Sequence, residues 1–80
     1  MGRANLKSKI DWYIVSRVRE IRLEKKMSQE EIAVHLGISR GFVGHIESPN
    51  FVAKYSTVQL NKLAKVFKCS PKDFFPEKPM

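Results

Sequence analysis

The feature that most constrains the fold is a helix-start signal that occurs three times along the chain. It reads "SQEE" at Ser28–Glu31, "STVQ" at Ser56–Gln59 and "SPKD" at Ser70–Asp73. In such a capping box, a serine hydroxyl and a side chain three residues later satisfy backbone N–H groups that the first turn of a helix leaves without partners. The sequence shows no alternating apolar run and no hairpin turn, which would signal strands. The pattern therefore predicts an all-α chain.

Five helices are predicted when two weaker candidate caps, Ser39 and Asp11, are added to the three boxes. Eighty residues suffice for one domain with a modest hydrophobic core. We expect this domain at residues 11–76, between a flexible basic N-terminal arm at 1–10 and a C-terminal tail at 77–80. The helices are expected at about residues 12–26, 29–36, 40–47, 57–68 and 71–75, with Val18, Ile21, Leu60, Leu63, Ala64 and Phe67 at core positions of helical spacing.

The charge balance favours an anionic partner. Lys and Arg total 15 against 8 Asp and Glu, which gives a net charge of +7. Residues 1–26 carry eight basic and three acidic side chains and residues 51–80 carry six and two, whereas residues 27–50 carry one and three. Two basic segments thus flank an acidic middle, a distribution that suits nucleic-acid binding and is also compatible with simple solubility.

Several classes of protein are disfavoured by what the sequence lacks. No apolar run is long enough to span a membrane, and the N-terminus has no apolar stretch typical of a secretory signal. Cys69 is the single cysteine, so an internal disulfide is impossible and a reducing, cytoplasmic location is expected. Neither His35 nor His45 has a ligand-spaced partner, and no nucleophile has a local base. We therefore expect no metal site, no cofactor and no enzymatic activity.

The segment "GISRGFVGHIES", Gly37–Ser48, contains a short helix with two interior glycines three residues apart. An interior glycine destabilises a helix by roughly 1 kcal/mol relative to alanine, so a face without side chains requires a reason. At about 100° per residue, both glycines fall on the side opposite the apolar residues. The apolar side is expected to be buried and comprises Phe42, Val43 and Ile46, while the outward face comprises Gly41, Gly44 and His45, with Arg40 at its edge.

This region resembles a known family of DNA-binding domains. The resemblance lies in the segment "SQEEIAVHLGISRGFVGHIES", which is similar to the helix-turn-helix of the phage lambda repressor and Cro-like (xenobiotic response element, XRE) domains. It extends to "RVREIRLEKKMSQEE" on one side and "YSTVQLNKLAKVFKCSPKDFF" on the other, and so covers residues 12–75. It implies a compact five-helix domain that places helix 40–47 in the major groove of double-stranded DNA as a homodimer. It also implies a small, repressor-like transcriptional regulator.

The resemblance assigns roles to individual positions. An arginine at the position of Arg22 pairs in the family with the glutamate that matches Glu47, which orients the arginine toward the DNA backbone. Neighbouring helical residues cannot share one face, so Phe74 is expected in the core and Phe75 is the dimer candidate. The base-facing positions are Arg40, Gly41, Gly44 and His45; the phosphate-facing positions are Ser28, Gln29, Ser39, Asn50, Lys54 and Arg22; Arg3, Lys7 and Lys9 are candidates for an arm that follows the DNA.

Two departures from the family pattern leave alternatives open. Polar side chains usually stand at the positions of Gly41 and Gly44, so base reading here rests on fewer side chains or on DNA shape. Pro49 stands near a position where a glycine often follows the glutamate, and it forces the helix to stop by Ser48. Phe42 is expected in the core, with contact to a thymine methyl group as the alternative. The glycines also permit packing against another protein such as a toxin, so the alternative function is a protein-interaction module such as an antitoxin, with DNA binding secondary.

Overall fold

In the computed structural model, which describes residues 6–80, every helix is preceded by a serine that caps its first turn. The three predicted capping boxes are confirmed, since each serine hydroxyl accepts a backbone N–H of the first turn while the partner side chain accepts the serine N–H. At Ser28 these two bonds are 3.0 and 2.7 Å long. The elements in chain order are α1 (Lys9–Glu24), α2 (Gln29–Leu36), α3 (Arg40–Glu47), α4 (Thr57–Phe67) and a 3-10 turn (Pro71–Phe74).

The first helix begins earlier than predicted. Its cap is Ser8 and not Asp11, because the Ser8 hydroxyl oxygen accepts the Asp11 backbone N–H at 3.1 Å. Asp11 lies in the first turn, and its Oδ2 accepts the Ser8 hydroxyl proton at 2.9 Å. The helix ends at Glu24, and Lys26 turns the chain with a φ of 58°. Lys9 therefore belongs to α1 and not to a flexible arm, so the folded domain starts before residue 11.

The prediction of a fifth helix at residues 71–75 is wrong, because this segment forms only a four-residue 3-10 turn. The residue before a proline is disfavoured in the helical region, and Phe75 precedes Pro76. Its backbone is accordingly extended, with φ of −106° and ψ of 152°. The predicted core position of Phe74 is confirmed: it is fully buried and packs edge to face on Phe67, with ring centroids 6.2 Å apart. The described residues thus form four α-helices and not five.

The hydrophobic core draws on all four helices and on the 3-10 turn. α2 packs most extensively against α3, and the small side chain Ala33 of α2 is buried in the core, at 2% exposed. The residues predicted at core positions of α1 and α4 are buried. Among the described residues, no helix is both long and apolar enough to cross a membrane. The largest fully buried side chains are Val15, Val18, Ile32, Val43, Ile46, Leu63, Phe67 and Phe74.

The capping box of α4 offers a direct test of the local signals. Replacing Ser56 with alanine removes the acceptor of the Gln59 backbone N–H, a bond of 3.1 Å. We expect this change to lower the free energy of unfolding by about 1 kcal/mol, and Ser56→Gly by only a few tenths. Thermal unfolding followed by circular dichroism should show a melting temperature lower by about 4–8 °C for the alanine variant. Equal losses for alanine and glycine would contradict a contribution from the cap.

Candidate nucleic-acid interface

A three-residue turn, residues 37–39, joins α2 to α3. Gly37 ends α2 with a φ of 69°, a left-handed conformation that residues with a Cβ adopt only with strain. The next N–H, that of Ile38, bonds back to the Ala33 carbonyl oxygen at 3.1 Å. Ser39 then caps α3 by accepting the Phe42 N–H on its hydroxyl oxygen at 3.0 Å. The predicted helix-turn-helix is therefore present, and these bonds fix the orientation of α3 relative to α2.

The outward face of α3 agrees with the helical wheel. Val43 and Ile46 are fully buried against the other helices. α3 has no acidic residue in its first turn, so its positive N-terminal dipole is not offset by a local carboxylate. The side opposite the core, which we call the outward face, comprises the exposed Arg40, Gly41 and His45 and the partly exposed Gly44.

Packing within the domain does not require the two glycines of the outward face. The nearest atom to a Cβ built at Gly41 would be Ser39 Oγ at 4.0 Å, and at Gly44 it would be Gln29 Oε1 at 3.7 Å. Both distances are ordinary or longer van der Waals contacts, so alanine would fit at either position. Since alanine is also the better helix former, neither packing inside the domain nor helix stability accounts for the two glycines.

The prediction that Phe42 lies in the core is wrong, because its side chain is 40% exposed. The buried stripe of this two-turn helix is narrow: Val43 and Ile46 lie three residues apart and fill it. Phe42 precedes Val43 and is therefore rotated by about 100° from it around the helix. Its ring stands at the border between the core and the outward face, where it is available for contact with another molecule.

Arg22 and Glu47 form the expected ion pair in the interior. Arg22 Nε and Nη2 donate to Oε2 and Oε1 of Glu47, both at 2.8 Å. Arg22 Nη1 donates to the Met27 carbonyl oxygen, also at 2.8 Å. The two side chains are only 8% and 4% exposed. All three of its nitrogens bond inside the domain and the side chain is buried, so Arg22 is held in the interior and its expected contact with a phosphate stays a prediction.

Glu47, the last residue of α3, binds side chains of both α1 and α2 and so links the three helices. Besides Arg22 of α1, it accepts the Gln29 side-chain amide of α2 on Oε1 at 3.0 Å. The exposed Arg19 also approaches Oε1, with its Nε at 3.7 Å. Gln29 is thus held in place at the start of α2. The sequence analysis does not predict that Arg19 lies beside Glu47. Its position one helical turn before Arg22 indicates that the two arginines share a face of α1.

Lys54, a predicted phosphate contact, is paired within the domain, with its Nζ 3.0 Å from Asp11 Oδ2. Burial alone would raise the pKa of Asp11, but hydrogen bonds from Lys54 and Ser8 and the positive charges of Lys54 and Lys7 outweigh it and lower that pKa. The Lys54 side chain is 57% exposed. Because exposed ion pairs contribute only about 0–1 kcal/mol, Lys54 can exchange this carboxylate for a phosphate oxygen.

The remaining predicted phosphate contacts lie at helix starts and in the loop after α3. Ser28 and Ser39 are exposed caps, whose helix N-termini favour an anion. Asn50 is exposed, and its backbone N–H donates to the Ser48 hydroxyl oxygen at 3.1 Å. Arg3, predicted in the arm, lies outside the described residues.

Lys7, also predicted in the arm, is bound to the loop that follows α3. Its Nζ donates to the carbonyl oxygens of Ser48 at 2.6 Å and Phe51 at 2.7 Å. The same ammonium lies 5.4 Å from the centroid of the Trp12 ring, in a cation–π arrangement. Lys7 therefore ties the start of the chain to the end of the helix-turn-helix. No local pattern could have indicated this contact between residues more than forty positions apart.

Phe51 stacks on His45 of the outward face. The ring centroids are 3.8 Å apart and the ring planes are inclined by 9°. Phe51 is exposed in a loop, where sequence patterns do not reveal the path of the backbone. The structure thus adds Phe51 to the residues that surround the outward face.

Its neighbour Phe74 is fully buried, but Phe75, the predicted dimer contact, is 47% exposed. It lines two shallow grooves. One also contains Tyr13 and Pro76, and the other contains Leu60. The residue that follows the 3-10 turn therefore presents an aromatic side chain on a partly apolar surface.

Comparisons with known proteins agree with this geometry. A family model described as "Helix-turn-helix domain" matches residues 15–77. A search of curated proteins found no match.

Two solved structures are similar to the chain over most of its length. The restriction-modification controller protein C.AhdI from Aeromonas hydrophila is 32% identical, with a TM-score of 0.68, over 91% of this chain and 100% of that protein. The hypothetical transcription factor NHTF from Neisseria has a TM-score of 0.71 at 20% identity, over 95% of this chain and 87% of its own, a likeness that concerns the fold.

Proposed function

The chain belongs to the XRE-type helix-turn-helix family, and we propose from this premise that it binds specific double-stranded DNA sequences and regulates transcription. The observation that carries the proposal is the outward face of α3, which projects Arg40 and His45 beside two glycines that nothing in the domain requires. A basic chain of net charge +7 suits the polyanionic partner. The name of the 32% identical relative, a restriction-modification controller, supports a regulatory role.

We propose that α3 enters the major groove along its outward face. Arg40 is suited to a bidentate contact with guanine and His45 to a single hydrogen bond. The open glycines allow the helix backbone to approach the base edges closely. The start of α2 at Ser28 and Gln29, the cap Ser39, and the loop residues Asn50 and Lys54 contact phosphates, which position the domain without reading sequence.

We further propose that the chain acts as a homodimer with a repressor-like role. One recognition helix reads only a few base pairs, and two of them reach half-sites roughly 34 Å apart on one face of the duplex. The exposed Phe75 is the dimer contact in this proposal, since it projects from a partly apolar surface beside the core. A dimer that covers a promoter would repress by occupying it.

The alternative function, a protein-interaction module such as an antitoxin, is favoured by one observation. Phe42 is 40% exposed beside the glycines, and an apolar ring next to small residues suits close contact with a helix of another protein. Selection of duplexes from a random-sequence pool decides between the two functions. A DNA-binding regulator should enrich a defined sequence, with an affinity that falls steeply with salt through counterion release. No enrichment, or an affinity independent of salt, would favour the protein-interaction module.

Two substitutions separate base reading from phosphate contact. We expect Arg40→Ala to lose discrimination at one base pair by about 1–3 kcal/mol, because the bidentate contact is removed. We expect Gln29→Ala to weaken binding to selected and random duplexes by the same factor, because it acts at the phosphate backbone. Dissociation constants for both kinds of duplex measure the difference. Identical losses on both duplexes for both variants would contradict this division of roles.

A further inference from the structure

We propose that Phe51 is a positioning residue for base reading by His45, and that Lys7 holds Phe51 in the position where it does so. This proposal rests on the proposed function, since it concerns the same outward face of α3. Neither residue lies on the recognition helix.

The stack restricts the His45 ring without using its hydrogen-bonding groups. An exposed side chain on a helix samples several rotamers. When a partner binds, the side chain is restricted to one rotamer, and this loss of conformational entropy weakens binding. Phe51 covers one face of the imidazole at a centroid separation of 3.8 Å and an inclination of 9°. Both ring nitrogens lie in the ring plane, at right angles to this contact. The stack therefore orders the ring before DNA binds and leaves its nitrogens available to a base edge.

Lys7 keeps Phe51 beside His45. The loop leaves α3 at Ser48, and Lys7 Nζ donates to the carbonyl oxygens of Ser48 and Phe51, the two ends of residues 48–51, at 2.6 and 2.7 Å. Within this segment, the Asn50 N–H bonds to the Ser48 hydroxyl oxygen at 3.1 Å. These bonds close the four residues into one turn. The aromatic ring at the end of the turn is thus fixed from the N-terminal side of the domain, and the orientation of His45 depends on a lysine from outside the helix-turn-helix.

Two substitutions at one position test the stack. Phe51→Leu keeps an apolar side chain but removes the ring, whereas Phe51→Tyr keeps the ring. Proton NMR of the free protein reports the geometry directly, since a ring 3.8 Å above the imidazole shifts its protons upfield. We expect this shift to be lost in Phe51→Leu and kept in Phe51→Tyr. Lys7→Met, which retains most of the stem without the ammonium, should reduce the shift, with circular dichroism as the check that the helices remain.

DNA binding then tests the consequence for base reading. The base pair read by His45 is the one at which His45→Ala loses discrimination. We expect Phe51→Leu to lose about tenfold in discrimination at that base pair, the value of one hydrogen bond. Its affinity for random duplexes should not change, and Phe51→Tyr should behave like the wild type.

The possible failures are distinguishable. If the wild-type chain selects a sequence and Phe51→Leu retains full discrimination at that base pair, the proposed role of Phe51 is overturned while the proposed function stands. If Phe51→Leu lost affinity equally on every duplex, the proposed role of Phe51 would also be overturned, because Phe51 would then act only on the backbone path of the loop. A wild-type chain that prefers no duplex would overturn the proposed function together with this role, even if the NMR shift shows the stack.

Discussion

Replacing Glu47 with alanine is expected to lower the free energy of unfolding by about 3–5 kcal/mol, since it leaves a buried charge without its partner. Arg22 is held by two hydrogen bonds of 2.8 Å to Glu47 and is 8% exposed at its side chain. The Gln29 side-chain amide would lose its acceptor at the same time. A domain of this size has a total stability of roughly 4–12 kcal/mol, so this variant should be close to unfolding. Urea unfolding followed by circular dichroism measures the loss.

The matched control for this prediction is Glu20→Ala, which breaks an ion pair on the surface. Glu20 Oε1 lies 2.7 Å from Arg17 Nη1, a shorter separation than any in the buried pair, but its side chain is 62% exposed. Solvent screens such a pair, and its removal should change stability by no more than about 1 kcal/mol. If the two variants lost similar stability, burial of the pair would not be the reason for the effect of Glu47→Ala.

Local sequence signals predicted the helix starts well because a capping box is complete within four residues. The boxes at Ser28, Ser56 and Ser70 need no information about the rest of the chain. The start of α1 was missed although Ser8 and Asp11 have the same spacing and exchange two hydrogen bonds. The short turn before Pro76 was also predictable in principle, since a proline restricts the preceding residue.

The errors at the candidate site arise where the outcome depends on distant parts of the chain. A helical wheel locates Phe42 at the border of the apolar side but does not give the width of the stripe that the other helices cover. The pairing of Arg22 with Glu47 was implied by the resemblance, whereas its burial depends on how three helices close around it. The contacts of Lys7 with Phe51, and of Phe51 with His45, join a terminus, a loop and a helix. Propensity and periodicity carry no information on such contacts.

The second large effect is expected for Gly41→Glu, which should abolish DNA binding while it stabilises the fold. Gly41 is the second residue of α3, and the nearest atom to an added Cβ is 4.0 Å away. Glutamate is a better helix former than glycine by up to about 1 kcal/mol, and a carboxylate in the first turn is favoured by the helix dipole. On the outward face, the same carboxylate would meet phosphates and base edges. Like-charge juxtaposition costs several kcal/mol, so affinity should fall by about 100-fold or more.

Two control variants separate charge from size and from position. Gly41→Gln adds a side chain of nearly the same size without the charge and should lose much less affinity. Asn61→Glu adds the same charge at an exposed position of α4, outside the helix-turn-helix, and should change affinity only slightly. Thermal unfolding and dissociation constants measured on the same samples give both quantities. A protein that is more stable and yet no longer binds DNA cannot have lost binding through misfolding, so opposite changes in the two quantities would assign the loss to the outward face. Retained binding by Gly41→Glu would mean that this face does not enter the groove.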